Sequence, residues 1–371
     1  MNFIFYSPVS FEPWDWRNSV EKGIGGSETS HVEMAWRLRR RGHNILSYNN
    51  LPEDSPGEWR GTIWKDMGGC DFHETGIWVF YRCPVLLSKL EKQPGQKWWL
   101  IMQDWDYRND WPAIYDKLDR ISPLSKAHAD YLLGLHPELE PKIWVTSNGV
   151  KVDLIEEVES SLCLPRDPYK VIYASSPDRG LLSLCKIFER AREYIPQLKL
   201  DVFYGFDNID KMIAGGDKGW AKTKDIIMKS MNQPNLKWHG RVDQKTLYKH
   251  WLTSGIWCYP SNFWETSCIT CMEAQCMGAI PLINPVWAQG ENTHHGVFIE
   301  GDAENEHYTQ LRFADQLAKL ASNHVIQERI REPMMADARK RFDWEVFVTQ
   351  WEEAARADLG EEVQSLQPGA A

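Results

Sequence analysis

The chain has 371 residues, enough for about two domains at roughly 100–200 residues each. A hydrophobic fraction of 43% and a charged fraction of 25% are those of a soluble globular protein, and no apolar run reaches the roughly 18 residues that a spanning helix needs. The formal net charge of −10 argues against a general nucleic-acid or anionic-membrane binder, although it leaves room for a local basic patch.

The N-terminal residues Met1 to Pro8 form too short an apolar run for a signal peptide and lack a basic region before it, so a cytoplasmic location is expected. The eight cysteines then read as reduced thiols, mostly buried as small hydrophobes. Along the chain, short β-rich apolar runs alternate with helical stretches, the pattern of parallel sheets joined by crossover helices. The first half predicts strands over residues 3–6, 45–48, 77–81, 98–102, 120–122 and 143–146. A helix over 27–41 is stopped by Gly42, and Arg37, Arg39, Arg40 and Arg41 crowd its C-terminal end, where cations suit the helix dipole. After a polar stretch around 156–168, a second series predicts strands over 171–174, 198–204, 236–239, 256–259, 280–283 and 297–299, with helices over 181–194 and 269–277 among them. A last helix is expected over 343–358, long enough to pack across the domain junction. The residues beyond it, 359–371, are small and polar and read as a disordered tail.

The fold class is therefore α/β: two consecutive, doubly wound Rossmann-like domains, 1–155 and 156–342, facing each other across a cleft. Ligands of such sheets bind beyond the carboxyl ends of the strands.

The sharpest local feature runs from Asn262 to Ala274. It follows the 256–259 strand and opens a helix, whose N-terminal N–H groups and positive dipole end make a ready site for a diphosphate. Thr266, Ser267 and Thr270 add hydroxyls at that mouth, beside Cys268 and Ile269. Glu265 precedes the helix, and Glu273 lies one turn beyond Ile269 on the same face. A carboxylate accepts paired hydrogen bonds from vicinal hydroxyls such as those of ribose or a hexose.

Glu265 and Glu273, with seven residues between them, resemble the E-x7-E motif of retaining GT-B glycosyltransferases of the GT4 family, and Ala274 to Pro281 resembles the continuation of that motif. Other segments match in order. Gly23 to Thr29 resembles the family's N-terminal GGSE loop, so Gly25, Gly26 and Ser27 are implied to approach the donor. Val145 to Val150 resembles the segment at the domain crossover. Ser175 to Leu181 reads SSPDRGL where the family more often has Lys-Gly, which makes Arg179 the cation on the donor diphosphate. Guanidinium suits phosphate bidentately. His239 to Val242 resembles the loop at the nucleobase, implicating Gly240, Arg241 and Val242.

The resemblance implies a retaining transferase that moves a sugar from a nucleoside diphosphate sugar, a UDP-sugar favoured, to an acceptor hydroxyl. The first domain would take the acceptor and the second the donor. Glu265 would fix the sugar and Glu273 the ribose, while Glu265, Arg179 and Asp104 form the catalytic set. No metal and no further cofactor is required, since the helix dipole and Arg179 supply the positive charge. Two departures from the family pattern stand out. Its second basic residue is missing at Ala174 or Ser175, leaving Lys222 and Lys224 as substitutes by chemistry alone. Its His-Asp pair is replaced by Gln103-Asp104, expected on the acceptor side, so a general base would be Asp104 or the donor phosphate.

Competing patterns carry less. Asp104-Trp105-Asp106 has the spacing of a metal-binding acid pair, but sits in the domain without the donor motif. Cys268, Cys271 and Cys276 with His294-His295 nearby have zinc-like spacing, and core thiols are the better reading. The acceptor class stays open between glycan, lipid-linked and small-molecule hydroxyls. One alternative is a phage-type transferase acting on hydroxymethylated DNA bases, since residues 1–150 are the less acidic half and hold the arginine cluster. Another is a sugar-nucleotide epimerase or a non-catalytic binding module on the same fold.

Overall fold

The computed structural model describes residues 1–10, 12–21 and 23–360. The chain forms two compact units. Of the described residues, the first comprises those within 1–16, 25–148 and 344–360, and the second those within 17–24 and 149–343.

The first unit is built on a seven-stranded sheet: β1 (Asn2–Ser7), β2 (Asn44–Asn49), β3 (Glu58–Trp59), β4 (Thr62–Asp66), β5 (Gly76–Tyr81), β6 (Gln96–Ile101) and β7 (Arg120–Ser122). Their order is β3-β4-β2-β1-β5-β6-β7, parallel except for β3 against β4. Both faces are covered, which is why the strands read as continuous apolar runs. The pleat sends Phe3, Phe5, Ile77, Val79, Tyr81, Trp99 and Ile101 to one face and Ile4, Tyr6, Trp78, Phe80, Trp98 and Leu100 to the other.

The expected strand over 143–146 does not form; only an isolated bridge joins Ile121 to Ile143. Its neighbour β7 runs straight into Pro123, which has no N–H to extend the ladder. The Ser122 hydroxyl donates to the Trp144 carbonyl instead, at 2.9 Å. The β3–β4 hairpin had no expectation attached. Its turn, Arg60-Gly61, has φ of +49° and +79°, the two left-handed residues of a primed turn, but with Arg where Asn or Asp would signal it.

The final helix, Trp344–Leu359, takes in the first residue of the expected tail; the rest of that tail, from 361, lies outside the described residues. The helix belongs to the first unit, where Trp351 stacks on Phe5 and its indole N–H donates to Thr146 at 3.0 Å. Its outer face meets the arginine cluster. Glu345 accepts from Arg37, Arg40 and Arg41, and Glu352 from Arg41, all at 2.6–2.8 Å. Arg37 is fully buried and is also bonded to Glu33. These arginines therefore clamp one helix to another, in addition to complementing a dipole. Replacing Glu345 with Ala is expected to cost about 1–3 kcal/mol, because it removes the carboxylate that Arg37, Arg40 and Arg41 share, and Arg37 is buried; chemical denaturation measures it.

The second unit has six parallel strands: β8 (Asp167–Tyr173), β9 (Lys199–Phe203), β10 (Leu236–Gly240), β11 (Ser254–Tyr259), β12 (Ile280–Ile283) and β13 (Val297–Phe298), in the order β10-β9-β8-β11-β12-β13. Helices Leu181–Tyr194, Gln244–Thr253, Ile269–Cys276 and His307–Ser322 cover it, contributing Leu184, Phe188, Tyr248, Trp251, Met272 and Phe313 to one continuous core. In each unit the first strand has later strands added on both sides. The direction of winding thus reverses between β1 and β5 and again between β8 and β11. Loops diverge at such points, leaving room for a ligand at the carboxyl ends.

Candidate active site

At the β8/β11 reversal, the loop after β8 carries Arg179 and the loop after β11 carries Glu265. The first loop is held by Tyr173, whose hydroxyl is within 2.7 Å of the carbonyls of both Ser176 and Arg179. It ends at Gly180, where φ is +80° and an added Cβ would lie 2.5 Å from the Pro260 carbonyl oxygen. Only glycine fits this contact between the two loops. Gly180→Ala is expected to cost on the order of 3 kcal/mol, from the unfavourable φ and the backbone overlap together. It would also displace Arg179, so thermal melting and nucleotide affinity should fall together.

The loop after β11 is anchored from below. Gln289 donates to the Ser261 carbonyl at 3.0 Å, and Asn284 donates to the Asn262 side chain at 2.7 Å. Glu304 accepts from the Asn262 backbone N–H at 2.9 Å. Glu265 follows, only 8% exposed. Arg179 Nη1 sits between its two carboxylate oxygens, at 2.8 and 2.9 Å, and the Tyr259 hydroxyl donates to Oε1 at 2.8 Å. The guanidinium lies over the Phe263 ring, its carbon 4.0 Å from the centroid. Burial works against the Arg179 charge, but Glu265 outweighs it and raises the guanidinium further above its ordinary value. The two residues expected to grip different parts of a donor thus hold each other, with only one guanidinium nitrogen engaged.

The helix Ile269–Cys276 opens directly beyond this pair, with Cys268 as its N-cap and no side-chain cap. The hydroxyls of Thr270 and Ser175 lie 3.1 Å apart across the two loops. Ser267 and Cys268 are buried, while Thr266, Ile269 and Thr270 are half-buried. Glu273, 7% exposed, accepts from the Tyr248 hydroxyl at 3.1 Å. Burial pushes its carboxyl up to about 7, against the lowering influence of Tyr248, Lys151 and Gln244. Gly240 ends β10 at φ +68°, and its carbonyl accepts from the Tyr204 N–H at 3.0 Å. Arg241 lies over the Tyr204 ring and beside Asp207, and Val242 packs against the core. Lys222 is exposed, and Lys224 pairs with Asp210 at 2.5 Å.

The first unit gathers a separate group at its β1/β5 reversal. The helix Gly26–Arg40 follows β1 with Gly25 as N-cap, and the Glu28 carboxylate folds over Gly25, where an added Cβ would meet it at 2.3 Å. Ser27 donates to that carboxylate at 3.0 Å. Arg82, just past β5 at φ +53°, donates to Ser27 at 3.4 Å and pairs with Asp104 at 3.1 Å. Asp104 is therefore tied to a cation, whereas Asp106 turns away to accept from Trp111 at 2.8 Å and to pair with His136 at 3.1 Å. Such divergent carboxylates do not form a common metal site. Among the described residues, Arg82 Nε, Gln103 Nε2 and the Tyr107 hydroxyl are buried without hydrogen-bond partners. Native interiors rarely leave such atoms unpaired.

Cys268, Cys271 and Cys276 are buried free thiols; Cys271 Sγ lies 2.9 Å from the Thr293 hydroxyl. Asp201, His239 and His250 do come together, but the Lys170 ammonium lies 3.1 Å from both Asp201 and His250 and supplies the cation of that cluster. Arg82, Tyr248, Tyr259 and Lys151 were missed by the sequence reading, since a lone polar residue on a strand end or helix face has no local signature.

No family model matches the sequence, and no curated protein matches it. Solved structures do, over nearly the whole chain. A sucrose-phosphate synthase from Thermosynechococcus elongatus has a TM-score of 0.75 at 12% identity, covering 97% of this chain and 99% of that one. A glycosyltransferase from Rickettsia africae gives 0.73 at 14%, with 97% and 99% covered. HepE from Anabaena, in complex with UDP and glucose, gives 0.70 at 14%, with 96% and 100% covered. At these identities the likeness establishes architecture: the chain has the GT-B fold that these glycosyltransferases share.

Proposed function

We propose that this protein is a retaining glycosyltransferase that moves a sugar from a nucleoside diphosphate sugar, a UDP-sugar favoured, to an acceptor hydroxyl. One observation carries the reading: at the winding reversal of the second sheet, a half-buried Arg179 paired with the buried Glu265 stands at the mouth of a helix that bears Glu273 one turn further in. The likeness to a structure holding UDP and glucose supports it.

As the glycosidic bond breaks, negative charge grows on the leaving diphosphate. The helix N-terminus at Ser267–Thr270 and Arg179 are the groups that stabilise it. Arg179 binds Glu265 through Nη1 and its Nε is buried, so Nη2 is the nitrogen that serves the phosphate without releasing the carboxylate. Glu265 then takes hydroxyls of the sugar, and Glu273 those of the ribose. This charge set needs no metal and no further cofactor. In the first unit, Gln103 and Asp104, braced by Arg82, are assigned to the acceptor. Asp104 or the departing phosphate receives the acceptor proton.

The acceptor is a glycan, lipid-linked or small-molecule hydroxyl. The DNA alternative loses its main support, because Arg37, Arg40 and Arg41 are already paired with Glu345 and Glu352. Among the described residues no helix is long and apolar enough to cross a membrane.

A panel tests the assignment. The protein is incubated with several nucleotide sugars and with glycan, lipid and hydroxymethylated-DNA acceptors, while nucleotide release and product mass are followed. Acceptor-dependent release with a matching mass gain is expected. Nucleotide release without a glycosylated product, or a calorimetric null for every nucleoside diphosphate, would overturn it.

A further inference from the structure

The hydrogen bonds that reach Glu273 all run in one direction, and the residue that sets the direction is 122 positions away in sequence, at Lys151. Lys151 is buried, and its ammonium donates to Gln244 Oε1 at 2.6 Å. An ammonium has donors only. The Gln244 amide is therefore oriented with its carbonyl toward Lys151 and its NH2 toward Tyr248, to whose hydroxyl it donates at 3.1 Å. With its lone pair so engaged, the phenol turns its own proton to Glu273 Oε1, at 3.1 Å. Reversing the amide would set donor against donor at Lys151, and turning the phenol proton back would do so at the Gln244 NH2.

We propose that Lys151, Gln244 and Tyr248 are positioning residues that act as a one-way relay, favouring the carboxylate form of Glu273 and aiming it so that it accepts the two vicinal ribose hydroxyls of the donor. The identity of those hydroxyls rests on the donor-site reading above; the relay itself does not. A buried carboxylate tends to take up a proton, and a protonated Glu273 would offer one acceptor oxygen fewer. The relay opposes this by delivering the polarity of a distant cation through two neutral groups, without a salt bridge that would cover the carboxylate. The titratable and charged groups acting on Glu273 are Tyr248, Lys151 and, on its own helix, the Cys276 thiol, which burial keeps neutral by pushing it upward.

Infrared titration of the ligand-free protein, taken as the difference between the wild type and Glu273→Gln, reads the protonation of this one carboxyl. The midpoint is expected near 7 in the wild type. Tyr248→Phe and Lys151→Met should each raise it by about one pH unit, and Lys151→Arg should leave it near the wild-type value. In parallel calorimetry, Tyr248→Phe should weaken UDP by up to about fivefold at about pH 7 and recover to within about twofold at about pH 9. Circular dichroism and melting curves identify variants that fail to fold, and Lys151→Met then decides independently of Tyr248→Phe. An unmoved infrared midpoint in both variants, or an affinity loss equal at every pH, overturns the relay. If the midpoint moves while the wild type binds no nucleoside diphosphate, the relay stands and the donor-site reading falls.

Discussion

Glu265→Gln is expected to lower transfer by about 100- to 1000-fold, the usual effect of removing one preorganised electrostatic partner from a reaction centre. The amide keeps the shape of the carboxylate and loses its charge. It offers one acceptor oxygen where Glu265 presents two to Arg179 Nη1 and one of the same two to the Tyr259 hydroxyl. Its NH2 would then face either the guanidinium or the phenol. Arg179, partly buried and seated on Phe263, is left with an unbalanced charge and a looser position. The stability loss from such a broken pair is about 1–3 kcal/mol, well short of unfolding the chain. The discriminating measurement is product mass with the donor and acceptor found in the panel, alongside melting. A variant that melts within a few degrees of the wild type and still transfers at the full rate contradicts the role given to Glu265.

Glu273→Gln should move stability the other way while it removes nucleotide binding. The Glu273 carboxyl is raised from its ordinary 4.5 to about 7, first because it is buried. The folded protein therefore holds a proton there that the unfolded chain has already lost between about pH 4.5 and 7. Stability from this group is complete below the lower value, falls as pH rises through the window, and is gone above about 7. The total is up to roughly 3 kcal/mol. Glutamine carries no such penalty. At pH 8 the variant is expected to melt several degrees above the wild type, and at pH 4 the two should nearly coincide. UDP affinity should drop about tenfold or more at pH 8, because an amide presents one uncharged acceptor oxygen to the ribose hydroxyls where the carboxylate presents two charged ones. A variant less stable than the wild type at pH 8 would contradict the assigned burial cost, and unchanged UDP affinity would contradict the ribose role. Stability sacrificed for function in this way is common at binding sites.

The sequence by itself determined what depends on near neighbours. Short β-rich apolar runs located eleven of the thirteen strands among the described residues, because burial on both faces of a parallel sheet leaves that imprint on each segment separately. The run from Glu265 to Glu273 announced a strand, a turn and a helix mouth with an acid on either side, all within a few residues, and the resemblance to GT-B enzymes rested on it. Where local signals misled, the cause was local too: Pro123 denies the 143–146 segment a ladder, and Arg60-Gly61 makes a primed turn without the residues that usually mark one.

What only the tertiary structure decided was which distant groups meet. Strand order sets the winding reversals, and no segment encodes its neighbour in a sheet. Arg179 and Glu265 are brought together across 86 positions, and Arg41 and Glu345 across 304. The pairing changes what each residue is: Arg179 becomes a fixed dipole partner of Glu265 as well as a cation for phosphate, and the RLRRR cluster becomes a helix clamp. Lys151, Gln244 and Tyr248 show no pattern in the chain at all. Their effect on Glu273 comes from hydrogen bonds whose direction is set in three dimensions by a buried ammonium that can only donate.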